Sequence, residues 1–188
     1  EDNDVKKRWR EYFDKLLNTK NRRKDLERID KVEGPTRLIS EDEVKTQLEK
    51  MKNGKATGPD EFPIEVVKSL GQTGIAWMTA VLQEVQVNGI PSEWRKSKIT
   101  PLYKQKGEPL NCSNYRGIKL RSQCLKLWER VLEARLRDMT KISNRQYGFQ
   151  KGKSTTQPMF CLRILKVKMR EQQRDLHMVF IDPEKAYD

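Results

Sequence analysis

Histidine is almost absent from this chain of 188 residues: His177 stands alone, and the three cysteines, Cys112, Cys124 and Cys161, have no close paired spacing. Those absences argue against a zinc site and against a disulfide framework. Free thiols in a reducing compartment are the expectation. No apolar run approaches the ~20 residues that cross a bilayer, and the opening EDNDVKKRWR has no signal-peptide core. The chain is therefore expected to be soluble and intracellular, nuclear or cytoplasmic, neither secreted nor membrane-bound. It has no initiator Met and stops on Asp188 just after an apolar run, so both ends read as cut. Acidic residues are scarce in one long stretch. Between Arg95 and Arg170, 20 basic residues face only Glu108, Glu129, Glu133 and Asp138.

Hydrophobic and charged residues each make up 35% of the chain, a composition that allows one domain with a modest core, with or without a helical appendage. The first fifty residues are nearly balanced, with 14 basic and 13 acidic side chains, so almost all of the net charge of +12 lies beyond them. A field of that sign attracts phosphate backbones and makes their binding salt-dependent. By charge alone, a solvated basic surface without a partner is an equal reading.

Hydrophobic spacing organises the chain. VKKRWREYFDKLL repeats apolar residues with helical period at Val5, Trp9, Tyr12, Phe13, Leu16 and Leu17. SEDEVKTQLEKM opens with Ser40 and Glu43 in capping-box spacing. KNGKATGPDEFP carries two glycines and two prolines and must be a constrained loop. IEVVKSL and IAWMTAVLQEVQ follow as helical patterns, the second apolar on most faces and expected to be buried. SKITPLYK and YRGIKL alternate as a strand pair, with Pro101 pushing the first towards an edge or bulge. QCLKLWERVLEARLRDM is a strong amphipathic helix through Leu125, Leu127, Trp128, Val131, Leu132 and Leu136. TTQPMFCLRILKVKMREQQ is another, with Pro158 near its first turn. LHMVFID reads as a buried strand inside a sheet, ending at Asp182. The order predicts a mixed α/β (α+β) fold with an amphipathic helical extension at its N-terminus.

Taken alone, Asp182 at a strand end is an ordinary turn-forming carboxylate. The ordered set KATGPDEFPIEVVK, EWRKSKITPLYKQKG, NYRGIKL, LKLWERVLEARL, ISNRQYGFQKGKSTT and HMVFIDPEKAYD resembles the fingers and early palm of a non-LTR retrotransposon reverse transcriptase, most closely of the RTE type. RWREYFDKLL is similar to the connector that precedes the polymerase in such polyproteins. The resemblance implies a helical connector over residues 1–50 and a partial, truncated reverse transcriptase domain over 51–188.

It also implies roles for particular residues. Asp182 matches the family's first metal-binding, catalytic aspartate for Mg²⁺, and a carboxylate on a strand end suits a hard cation. The backbone carbonyl of Pro183 would share that site, although proline departs from the usual apolar residue there. Tyr187 matches the aromatic beneath the sugar of the incoming dNTP, with palm packing as the equal alternative. Asp188 matches a structural position. Lys104 and Arg116 look like the basic pair that meets the dNTP triphosphate; without the resemblance they read as a solvated hairpin face. Gln146, Lys151, Lys153 and Ser154 in QYGFQKGKSTT suit contacts with an RNA template and DNA primer. That stretch lacks the GxxxxGK spacing of a Walker loop. Glu61 stands where the family usually has glycine.

The adjacent aspartate pair of a second palm hairpin and a thumb are missing, so the chain is expected to bind nucleic acid without polymerising. Rival readings are a non-catalytic nucleic-acid-binding remnant of a mobile element, and an interaction module built on the helices of residues 5–52.

Overall fold

A computed structural model describes residues 2–19 and 37–182. The chain divides into two compact units, Glu1–Leu136 and Arg137–Asp188.

The first unit begins with helix α1, Asp2–Asn18. Helix α2, Glu41–Glu49, starts with the capping box that the sequence predicts. Ser40 accepts the Glu43 N–H, and the Glu43 carboxylate returns to the Ser40 N–H at 2.9 Å. Helices α3, Ile64–Ser69, and α4, Gly71–Asn88, follow, then a single turn, α5, Ser92–Arg95, which no periodic signal announces. Strand β1, Ser97–Tyr103, pairs antiparallel with β2, Tyr115–Arg121, and the long helix α6, Gln123–Met139, closes the order.

Side chains of α2, α3, α4 and α6 make one core. Val44, Val67, Met78, Leu82 and Leu127 are fully hidden, and Trp128 and Val131 complete the α6 stripe. Burying each such side chain contributes roughly 1.5–3 kcal/mol. One expectation about burial is corrected. Helix α4 hides only one stripe, Met78, Thr79, Leu82 and Val85, and leaves Trp77 49% exposed. A helix on the outside of a core needs only one apolar face. On α6 the stripe ends before Leu136, which is exposed because the core has run out at that turn.

Alternation along the hairpin sorts its side chains onto two faces. Ile99, Pro101, Tyr103, Tyr115 and Gly117 share one of them. There α1 lies down: Trp9 meets Tyr115 edge-on at 4.8 Å between ring centres, and Phe13 occupies the space over Gly117, where a Cβ would stand 2.7 Å from its ring. Pro101 sits opposite Gly117. A two-stranded hairpin has two open edges, which tolerates a residue without an N–H.

In the second unit, helix α7, Thr156–Glu171, forms where predicted, with Pro158 in its first turn. The predicted strand at 176–182 does not. Residues 174–182 are irregular, with Val179 and Ile181 each 85% exposed. A strand needs a neighbour for its backbone N–H and C=O groups, and among the described residues the one sheet is the β1–β2 pair, in which residues 174–182 take no part. The chain is thus a mixed α/β protein of seven α-helices and one two-stranded sheet among its described residues.

Candidate functional site

The hairpin face opposite α1 carries Lys98, Thr100 and Leu102 from β1 and Arg116, Ile118 and Leu120 from β2. Lys104 continues this face one step beyond β1. Its N–H donates to the Asn114 carbonyl at 2.8 Å, so the ladder persists there and Lys104 lies diagonal to Arg116. The Lys104 ammonium donates to the Ser113 carbonyl at 2.8 Å, a bond that orients the charge without neutralising it. Arg116 is exposed.

The turn between the strands is built to hold this arrangement. Tyr103 donates its hydroxyl to the Gly107 carbonyl at 2.6 Å, Tyr115 to the Pro109 carbonyl at 3.0 Å, and Asn114 to the Glu108 carbonyl at 3.0 Å. Gly107 has φ +77°, and Asn114 would collide with any side chain there.

In the second unit, the loop of QYGFQKGKSTT separates its candidate contacts. Lys153 is turned inward: its ammonium donates to the Asn144 carbonyl at 2.7 Å and the Gln146 carbonyl at 3.3 Å, and it stands 5.5 Å from the centre of the Tyr147 ring. Gln146 donates its side-chain amide to Gly148 at 3.4 Å. Ser154 bonds to Thr156 at 3.0 Å before α7 begins. Lys151 is exposed.

Asp182 is exposed and irregular. Pro183, Tyr187 and Asp188 lie outside the described residues. Among the described residues no group of three or more His, Cys, Asp or Glu side chains could hold a metal ion. One carboxylate does not make a divalent-cation site, so the described part does not fit Mg²⁺ by itself.

A second basic feature escapes sequence reading. Lys50, Lys52 and Lys55, from the end of α2 and the loop after it, meet Lys126 and Arg130 of α6 around a cavity of about 350 Å³. The lysine spacing in EKMKNGK was visible, but its convergence with a helix some seventy residues later was not. Burial, and then the nearby Arg121 charge, lower the Lys126 pKa from its ordinary value. Beside it, burial pushes the Cys124 thiol up to about 11, so Cys124 is a core residue and not a nucleophile.

The same unit contains one well-built ion pair. Arg135 grips both carboxylate oxygens of Glu43 at 2.8 Å and also donates to the carbonyls of Arg37 and Leu38. The Arg135 hydrogen bonds hold the Glu43 carboxyl at about 2, well below the usual carboxylate range. This pair joins the end of α6 to the start of α2 and is structural.

Known proteins resemble this chain along most of its length. Residues 102–188 match the reverse transcriptase (RNA-dependent DNA polymerase) family. Over 159 residues the chain is 26% identical to the probable RNA-directed DNA polymerase from transposon BS of Drosophila melanogaster, covering 82% of this chain and 18% of that protein. It is 24% identical over 159 residues to the RNA-directed DNA polymerase from mobile element jockey of the same organism, covering 82% and 17%. The probable polymerase from transposon X-element is 22% identical over 151 residues, covering 78% and 17%. The chain therefore spans less than a fifth of the length of these curated relatives. Lys104 and Arg116 fall inside the region that matches the reverse transcriptase family.

Proposed function

We propose that the chain supplies the fingers and the beginning of the palm of an RNA-directed DNA polymerase from a mobile element of the RTE type. In that reading residues 1–50 are the connector and 51–188 the partial polymerase domain. The observation that carries it is the open hairpin face. It presents Lys104 and Arg116 side by side while α1 occupies the opposite face. A compact ammonium beside a planar guanidinium suits the oxygens of a dNTP triphosphate.

The remaining assignments rest on the motif order. Lys151, Ser154 and Gln146 approach template or primer, and Lys153 shapes their loop from within. Reverse transcriptases use divalent metal ions. By the motif order, Asp182 with the Pro183 carbonyl would supply part of a Mg²⁺ site, and Tyr187 would lie beneath the nucleotide sugar. No helix among the described residues is long and apolar enough to cross a membrane.

Titration with a fluorescent deoxynucleoside triphosphate tests the hairpin. Binding should weaken about thirtyfold or more in a Lys104→Ala, Arg116→Ala double variant, consistent with losing two charge-assisted contacts at roughly 1 kcal/mol or more each. The same fluorophore on an unphosphorylated deoxynucleoside should not distinguish variant from wild type. Equal triphosphate affinity in both proteins would remove the nucleotide role from this face.

A further inference from the structure

Strands β1 and β2 stand clear of the core. Every residue from Ser97 to Arg121 is exposed or half-buried, and none belongs to the cluster shared by α2, α3, α4 and α6. A two-stranded hairpin with no more than its own ladder is marginally stable. Yet Lys104 and Arg116 stand at its far end, beside the turn, where the geometry of a charge pair depends most on support.

Helix α1 reaches that end. Its half-buried residues Trp9, Tyr12, Phe13 and Leu16 recur on one face at helical spacing. Trp9 meets the ring of Tyr115, whose hydroxyl holds the Pro109 carbonyl, and Arg8 donates to the next carbonyl, that of Leu110, at 2.8 Å. Two separate contacts therefore run from α1 to the turn. The same turn supplies the Ser113 carbonyl that orients the Lys104 ammonium. Phe13 fills the space over Gly117, the neighbour of Arg116 on β2. Leu17 instead borders an open groove of about 630 Å³ beside the helix and is 38% exposed. No residue of α1 is buried, so its hold on the hairpin rests on a few side chains.

We propose that α1 is a strut for the turn end of the hairpin, with Trp9 and Phe13 as positioning residues for the triphosphate contacts of Lys104 and Arg116. The proposal rests on the nucleotide reading above. Both rings lie on the face opposite the charges and act through Tyr115 and the Gly117 backbone. A pair held in place before the ligand arrives spares the cost of ordering it on binding. The apparent affinity then scales with the fraction of chains in which the turn end is in place.

Titration of the full chain with the fluorescent deoxynucleoside triphosphate, together with amide exchange read by NMR, tests the strut. Phe13→Ala should weaken triphosphate binding about fivefold, as when the competent fraction falls to roughly a fifth, and should leave the unphosphorylated deoxynucleoside unaffected. Phe13→Leu, which refills the space over Gly117, should recover most of the loss. Leu17→Ala should cost no more than about twofold. The Lys104 amide, which donates to the Asn114 carbonyl, should lose most of its protection in Phe13→Ala while the α6 amides keep theirs. Unchanged protection at Lys104, or a loss of affinity no larger than that of Leu17→Ala, would overturn the strut. Protection lost in α6 as well would make Phe13 a support of the whole unit and overturn a role confined to the hairpin. Failure of the nucleotide reading has its own signature: the Lys104→Ala, Arg116→Ala variant would bind triphosphate like wild type, while Phe13→Ala still exposed the Lys104 amide. Helix α1 would then brace the hairpin without positioning a phosphate contact, and the proposal would fall with that reading.

Discussion

Residues 37–136 and residues 137–182 both contain a long amphipathic helix, and the two helices differ in what they bury. Helix α6 hides Leu127, Trp128 and Val131 in a core shared with α2, α3 and α4, whereas no residue of α7 is buried, and Phe160 is 62% exposed. Both sequences have helical periodicity, so periodicity decides the backbone and not the burial. Burial of α6 comes from three other helices whose apolar stripes converge on it. The same contrast explains the hairpin and the tail. β1 and β2 have each other, while the apolar residues 178–181 have no strand beside them among the described residues.

The largest expected effect follows directly. Leu127→Ala should destabilise the first region by about 2–5 kcal/mol through lost burial and a residual cavity. Urea unfolding followed by tryptophan fluorescence leaves residues 137–182 silent, because Trp9, Trp77, Trp94 and Trp128 all precede residue 137. Phe160→Ala on α7 should change far-UV unfolding by no more than ~0.5 kcal/mol. A Phe160→Ala loss as large as that of Leu127→Ala would dissolve the contrast and mean that the α7 face is covered in solution.

A smaller effect should appear where α6 is fastened to α2. Arg135→Ala removes both hydrogen bonds to Glu43 and two to backbone carbonyls, and should cost roughly 2–3 kcal/mol at neutral pH. The pH dependence has a definite sign. The folded Glu43 carboxyl lies at about 2, below the ordinary glutamate value of about 4.3, so its contribution is complete above that ordinary value. It is lost as pH falls towards about 2. The difference between wild type and Arg135→Ala, measured by tryptophan fluorescence, should narrow over that interval. A difference independent of pH would show that the backbone carbonyls, and not Glu43, are the important partners of Arg135.

These contrasts also separate what the sequence could reveal from what it could not. The Ser40–Glu43 capping box and the two faces of the hairpin depend on neighbours within a few residues or on a period of two, and both were legible. So was the shared face of Lys104 and Arg116 once the strands were paired. The absent strand at 176–182 was not legible because an apolar run becomes a strand only when a sheet takes it up, and none among the described residues does. The basic cavity stayed hidden for the converse reason: Lys52 and Arg130 share no local pattern, and only the packing of the 50–56 loop against α6 joins them.

The smallest expected effect lies just beyond that loop, in the turn at residues 58–61, and sharpens the claim that the shape there is imposed by the core beneath it. Gly58 and Glu61 close a turn in which the Glu61 N–H donates to the Gly58 carbonyl at 3.1 Å. Space requires glycine at 58, where an added Cβ meets backbone atoms of Arg121 and Ser122. Backbone conformation favours glycine at 61 instead, since Glu61 has φ +52°. Glu61→Gly should relieve about 1 kcal/mol of left-handed strain and give back part of it through the greater freedom of the unfolded chain. The net gain should be near 0.5 kcal/mol in urea unfolding, opposite in sign to a loss of about 1–3 kcal/mol for Gly58→Ala. If Glu61→Gly proves destabilising, the Glu61 side chain must contribute more than the strain it brings, and the loop would owe its shape to that carboxylate as well as to the core.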